Sequence, residues 1–309
     1  MNLPRRVRIV EVGPRDGLQN EAAPVATADK IAFVDALTAA GHSTIEVSAF
    51  VSPKWVPQLA DAADVFAGIT RRPPTRYTAL VPNLAGLQRA IAARVDEVAI
   101  FAAASESFSL RNINQGIEQS LATYRAVCEA AANARLPVRA YVSTAFGCPF
   151  EGPVQPAAVA RVAAALIAMG AYEVAISDTI GIAHPGQIPG VLDEVTRHVA
   201  IERVALHFHD TRGTALANVL RALELGVTIF DASAGGLGGC PYAPGATGNL
   251  ATEDLLYMLD GLGVETGVSL DGVLAASRSI EPTLGHALAS RYAAAVRAAT
   301  PRTSSRPSN

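Results

Sequence analysis

Short runs of Val, Ile and aromatic residues alternate along the chain with longer Ala- and Leu-rich stretches. The short runs fall at Val7–Val12, Thr44–Ser48, Tyr77–Val81, Glu97–Phe101, Val138–Ser143, Glu173–Ser177, Arg203–His207 and Val227–Ala232. Near-continuous apolar runs of this length suit strands covered on both faces, as in a parallel sheet. The stretches between them carry helix boundaries. Thr27–Ala40 opens on Thr27, a candidate N-cap, and stops at Gly41, while Gln155–Met169 stops at Gly170 and Thr214–Leu225 at Gly226. Ser or Thr entering and glycine leaving are the expected punctuation of a helix. Three helix–glycine–strand junctions of one kind indicate a repeating βα unit. Eight such units in 309 residues leave about 39 residues each, a comfortable length for a (β/α)8 TIM barrel. An open doubly wound sheet shares the alternation and is the competing arrangement. No shift in composition divides the chain. Residues 1–299 therefore read as a single TIM-barrel catalytic domain, and 300–309 (TPRTSSRPSN), with two prolines and no apolar content, as a disordered tail.

Composition narrows the function classes. Hydrophobic residues make up 50 % and charged residues 17 %, which excludes a disordered chain and favours one large core. The net charge is −3, so a general nucleic-acid binder or a binder of acidic membranes is not expected. No run is long and apolar enough for a membrane span, and the start MNLPRRVRIVEVGPRDG lacks the apolar core of a signal peptide. Cys128, Cys148 and Cys240 are widely spaced and form no CxxC pair, which suits free thiols in a reducing compartment. These points together predict a cytoplasmic location.

The chemistry concentrates where the strands are expected to end. In Val204–Asp210 (VALHFHD), strand alternation puts His207 and His209 on one face and Leu206 and Phe208 on the other. In a barrel the apolar pair meets the helices, and the imidazoles face the interior at the C-terminal end, where barrel active sites lie. The other histidines, His42, His184, His198 and His286, show no pairing and read as surface or loop residues. The first strand runs into Gly13–Asn20, which places Asp16 on the same rim as an anionic oxygen and Arg15 beside it, suited to a substrate carboxylate or a developing oxyanion. After the last strand comes Gly235–Asn249. Its glycines do not fit GxGxxG, so it reads as a mobile glycine-rich loop that closes over a ligand and carries Cys240. Asn249 either donates a neutral oxygen to a metal or caps the next helix. One carboxylate, two imidazoles and one amide oxygen suit Mg²⁺, Mn²⁺ or Co²⁺. The same histidines and carboxylate also match a non-haem iron site or a zinc hydrolase, and residue types alone leave these open. Glu46 (TIEVSAF) and Asp178 (AISDTIG) stand at further strand ends, Glu46 as an orienting acid and Asp178 near the proton-transfer centre.

These residues sit in motifs that resemble the hydroxymethylglutaryl-CoA lyase family, within the barrel-fold metal-dependent lyases and Claisen-condensing synthases. The motifs are EVGPRDGLQNE at Glu11–Glu21, the segment Ala49–Gln58, SDTIG at Ser177–Gly181, HFHDTRGTALAN at His207–Asn218 and GLGGCPYAPGATGNLATEDL at Gly236–Leu255. The resemblance implies retro-Claisen cleavage of 3-hydroxy-3-methylglutaryl-CoA to acetyl-CoA and acetoacetate. It places the metal ligands on Asp16, His207, His209 and Asn249, and the catalytic groups on Arg15, Cys240, His207, Asp178 and Glu46. The implied cofactor is Mg²⁺ or Mn²⁺, the partner an acyl-CoA, the assembly a homodimer and the setting leucine breakdown. Lys54, Arg111 and Asn112 are candidates for the CoA phosphates. A related branched 3-hydroxyacyl-CoA is the alternative substrate. A condensing synthase is the alternative reaction, disfavoured by the Cys240 loop and the absence of a regulatory domain.

Overall fold

A computed structural model describes residues 3–239 and 248–299. Eight parallel strands close in sequence order into a barrel. They are β1 (Arg8–Glu11), β2 (Thr44–Ala49), β3 (Arg76–Leu80), β4 (Glu97–Ala103), β5 (Val138–Ser143), β6 (Glu173–Asp178), β7 (Val204–Phe208) and β8 (Ile229–Ala232). All eight expected strands form, with ends moved by one or two residues. Closure is made by β1 against β8, in register from Arg8 opposite Ile229 to Glu11 opposite Ala232.

The helices cover the outside. Those between strands are α1 (Thr27–Ala39), α2 (Ala62–Gly68), α3 (Leu84–Ala92), α4 (Glu106–Ile113), α5 (Ile117–Asn133), α6 (Pro156–Ala168), α7 (Ile188–Thr196) and α8 (Ala215–Glu224). After β8 come α9 (Thr252–Gly261), α10 (Leu270–Leu284) and α11 (Arg291–Ala299). Gly41, Gly170 and Gly226 all take positive φ just beyond α1, α6 and α8, the left-handed residue that ends a helix cheaply only as glycine. Thr27 is not an N-cap. Ala26 holds that position, and the Thr27 hydroxyl donates instead to Asp61 Oδ2 at 2.7 Å. No described helix is long and apolar enough to cross a membrane.

Two apolar layers follow from the strand alternation. The larger lies between strands and helices and includes Ile45, Val98, Leu206, Phe208 and Phe230. The smaller fills the barrel interior with Val10, Ala99, Tyr141, Ala175 and Ala205. Arg139, Glu173 and Asp231 share that interior and are fully buried. His42 departs from the expectation of a surface residue. It is buried with its Nε2 3.5 Å from Glu11 Oε2. Gly41 and Ser43 on either side of it are exposed and Thr44 is buried, so the chain alternates in and out just before β2 and His42 takes an inward position. His184, His198 and His286 are exposed, as are Lys54, Arg111 and Asn112.

Candidate active site

The site is assembled at the C-terminal rim. Immediately after β1 the chain makes a π-turn over Gly13–Gly17, with Gly17 N donating to Val12 O at 3.2 Å. Such turns widen the backbone by one residue and frequently mark functional positions. This one turns Arg15 and Asp16 toward the barrel axis. In β7 the predicted alternation holds: Leu206 and Phe208 pack in the outer layer, and His207 faces inward. His209, one residue beyond the strand, bridges to Asn249.

Three ligand atoms converge. Asp16 Oδ2 lies 3.9 Å from Nε2 of both His207 and His209, and the three side chains are close enough to hold one ion between them. Donors about 2.1 Å from a common divalent ion stand roughly 3–4 Å apart, so the spacing fits. Asn249 joins them: its Nδ2 donates to Asp16 Oδ2 at 2.9 Å and to Leu237 O at 3.0 Å. Its Oδ1 is buried and meets no donor among the described residues. A buried amide oxygen without a donor is costly unless something else binds it. This unsatisfied oxygen, beside two imidazole nitrogens and a carboxylate, is what a divalent ion would complete. Asn249 does not cap a helix, since α9 opens on Thr252 after Ala251.

Electrostatics suit ligation. Burial works against ionised Asp16, but Arg15 and the two imidazoles hold its carboxyl below the usual range. Burial, helped by His207, pushes His209 down to about 4, leaving it neutral. Burial also opposes a charged His207, yet its contact with Asp231 outweighs this and raises it. The Nδ1 of His207 lies 3.2 Å from Asp231 Oδ2. A carboxylate there keeps the proton on Nδ1 and turns Nε2 toward the ligand cluster.

The other predicted residues sit around this centre. Arg15 is 7 % exposed and donates through Nε to Glu46 and through Nη1 to Asp16. Glu46 accepts on its second oxygen from the Tyr141 hydroxyl. Asp178, at the end of β6, accepts from the amides of Ile182 and Ala183 at 3.0 and 3.1 Å. Burial pushes its carboxyl up to about 6 against these hydrogen bonds. Cys240 lies outside the described residues, as do the centre of its loop and the tail 300–309.

The loop's described glycines serve close packing. Gly238 and Gly248 both have positive φ, and a Cβ on Gly248 would stand 1.8 Å from Gly238 O. A Cβ on Gly238 would strike Asn249 Nδ2 at 2.5 Å. The two ends of the loop pass backbone to backbone beside the ligand cluster: a side chain on Gly248 would push Gly238 away, and one on Gly238 would displace Asn249.

Sequence reasoning missed Asp231, Tyr141 and Arg139. The signal was present as charged or phenolic residues at alternate positions of otherwise apolar strands, VRAYVS and IFDA. Asp231 is also the β8 residue in register with His207.

The HMGL-like family model matches residues 6–280. A Pseudomonas aeruginosa 3-hydroxy-3-isohexenylglutaryl-CoA/hydroxy-methylglutaryl-CoA lyase is 53 % identical over 296 residues, 96 % of this chain and 99 % of that protein. The human mitochondrial hydroxymethylglutaryl-CoA lyase is 52 % identical over 293 residues, 95 % of this chain and 90 % of its own. A crystal structure of hydroxymethylglutaryl-CoA lyase from Pseudomonas aeruginosa superposes with a TM-score of 0.95 at 53 % identity, covering 97 % of this chain and all of that one.

Proposed function

The chain belongs to the HMGL-like family, and on that premise we propose that it cleaves 3-hydroxy-3-methylglutaryl-CoA to acetyl-CoA and acetoacetate. It is a carbon–carbon lyase. The observation that carries the reading is the convergence of Asp16, His207 and His209 on the unsatisfied Asn249 oxygen, with the Arg15 guanidinium alongside. We assign the four ligands to one divalent ion, Mg²⁺ or Mn²⁺, given their oxygen and imidazole donors. Bound there, the ion would polarise the substrate's tertiary hydroxyl and lower its pKa.

The remaining work falls to side chains. A base removes the hydroxyl proton, the bond between the carbinol carbon and the thioester's α-carbon breaks, and its electron pair passes to the thioester as an enolate. Asp178 is the base we favour, because its ionisation near neutral pH matches the task. His207 is less suited, since Asp231 engages Nδ1 and its Nε2 faces the ligand cluster. Arg15 is held protonated by Glu46 and Asp16 against the cost of burial. Its charge stabilises the enolate oxygen, an effect worth roughly 3–4 kcal/mol per donor. Cys240, which the family resemblance places among the catalytic groups, is assigned the return of a proton to the enolate carbon. Residues 1–299 act as one catalytic unit in this reading, located in the cytoplasm and working as a homodimer in leucine breakdown.

The test is product analysis. Purified, reduced protein with Mg²⁺ should release acetoacetate and acetyl-CoA in equal amounts, and chelation should stop both. Consumption of acetyl-CoA with an oxo acid, and no acetoacetate, would move the chain to the condensing enzymes. The Pseudomonas aeruginosa relative's name supports a second reading, a longer branched 3-hydroxyacyl-CoA. A higher kcat/KM for the isohexenyl substrate would establish it.

A further inference from the structure

The interior of an eight-stranded barrel is normally filled by Val, Ile and Leu. Here a line of charge shares it with small apolar residues such as Ala99, Ala175 and Ala205. Arg8, at the start of β1, pairs with Glu173 at the start of β6. Glu173 Oε1 accepts from Arg139 Nε at 2.7 Å. Arg139 Nη2 donates to Asp231 Oδ1 at 2.6 Å, and Asp231 Oδ2 reaches His207 Nδ1. Arg139 has a second arm. Its guanidinium lies 4.8 Å from the centre of the Tyr141 ring, and the Tyr141 hydroxyl holds Glu46, which holds Arg15. Arg15 covers the same ring at 5.7 Å. One guanidinium, 1 % exposed, thus stands behind both His207 of the ligand cluster and Arg15 beside it.

Buried ion clusters of this kind are often no more stable than a hydrophobic packing of equal volume. Their distinctive property is direction: the planar fork of Arg fixes two carboxylates at set angles, which a lysine's point charge does not. We propose that Arg139 is a positioning residue, which sets the orientation of His207 through Asp231 and of Arg15 through Tyr141 and Glu46. This rests on the reading of His207 as a metal ligand. Without the fork, Asp231 turns, His207 loses its fixed tautomer and orientation, and ion affinity falls before any substrate is present.

The test measures Mn²⁺ affinity by electron paramagnetic resonance, together with kcat, KM and melting temperature, for Arg139→Lys, Asp231→Asn and the double variant. Removing an outer partner of a ligating histidine costs about 10–100-fold in metal affinity or activity. Each single variant should show a loss of that size in Mn²⁺ affinity, with kcat reduced and KM little changed. The double variant should be no worse than either single one, because both break the same chain. A purely structural Arg139 would lower the melting temperature and leave the affinity of the folded protein unchanged, and additive losses would mean the two residues act separately. Either result overturns the proposal. If Arg139→Lys does not fold, the charge-balanced pair Arg139→Met with Glu173→Gln takes its place under the same expectation. Wild-type protein that binds no Mn²⁺ would instead overturn the metal reading, and this proposal with it.

Discussion

Glu11 offers a sharp test of how the site is held. It lies at the end of β1 with no exposure, and its Oε1 accepts from the amides of Gly13 at 2.8 Å and Ala234 at 2.9 Å. Its Oε2 accepts from the Thr252 hydroxyl at 2.8 Å. It therefore ties the turn carrying Arg15 and Asp16 to the segment after β8 that leads to Asn249. Burial pushes Glu11 up to about 8 and its neighbour His42 down to about 3. These shifts favour a neutral pair at pH 7, a protonated carboxyl beside an uncharged imidazole. Below pH 4.5, where the carboxyl is protonated folded and unfolded, Glu11→Gln, which keeps an acceptor for both amides, should change stability by less than about 1 kcal/mol. Glu11→Ala leaves two buried amides unpaired at about 1–3 kcal/mol each, so it should lose roughly 2–6 kcal/mol in urea unfolding and most of its activity. The sign with pH is fixed by the same shift. A carboxyl raised from 4.5 to about 8 gives stability that is complete below pH 4.5 and lost as pH rises to 8. The total is on the order of 5 kcal/mol at 1.36 kcal/mol per unit. Wild-type stability should fall relative to Glu11→Gln between pH 5 and 8. Parallel curves, or a Gln variant as damaged as the Ala variant, would refute the neutral carboxyl.

Two further outcomes follow from the assigned roles. The proposed base Asp178 would work ionised, and burial pushes its carboxyl up to about 6, so kcat/KM should rise with pH through that value. Asp178→Asn should lose this limb and about 10²–10⁴ in rate, and a limb that survives the substitution would remove Asp178 as the base. Oxidation should inactivate the enzyme reversibly through Cys240, with activity restored by a thiol reductant. Cys240→Ser should be slow but insensitive to oxidant; equal inactivation of that variant would place the oxidation elsewhere.

The barrel was legible because its signals are local. Apolar runs separated by helices that end on Gly41, Gly170 and Gly226 declare each βα unit, and those glycines do take positive φ. The clustering of His207 and His209 beside Asp16 was legible because the two histidines share a face by alternation alone. Asp231 and Arg139 were not read, because their meaning depends on register between strands far apart in sequence. Arg139 meets Asp231 across the barrel interior, a contact that no period within VRAYVS contains. His42 departs from expectation for a related reason: the lack of a paired histidine suggests a surface or loop position, while its burial is decided by distant segments that pack around it. Thr27 shows the limit of capping rules, since its hydroxyl is claimed by Asp61.

The central claim is that this carbon–carbon cleavage depends on an ion held by Asp16, His207, His209 and Asn249. The most direct measurement is a Mn²⁺ titration of chelated, reduced protein, following acetoacetate from 3-hydroxy-3-methylglutaryl-CoA in wild type and in His207→Ala. Activity should return in proportion to bound ion in the wild type and stay absent in the variant at the same added Mn²⁺. Acetoacetate formed at full rate without ion, or at wild-type rate by His207→Ala, would contradict it.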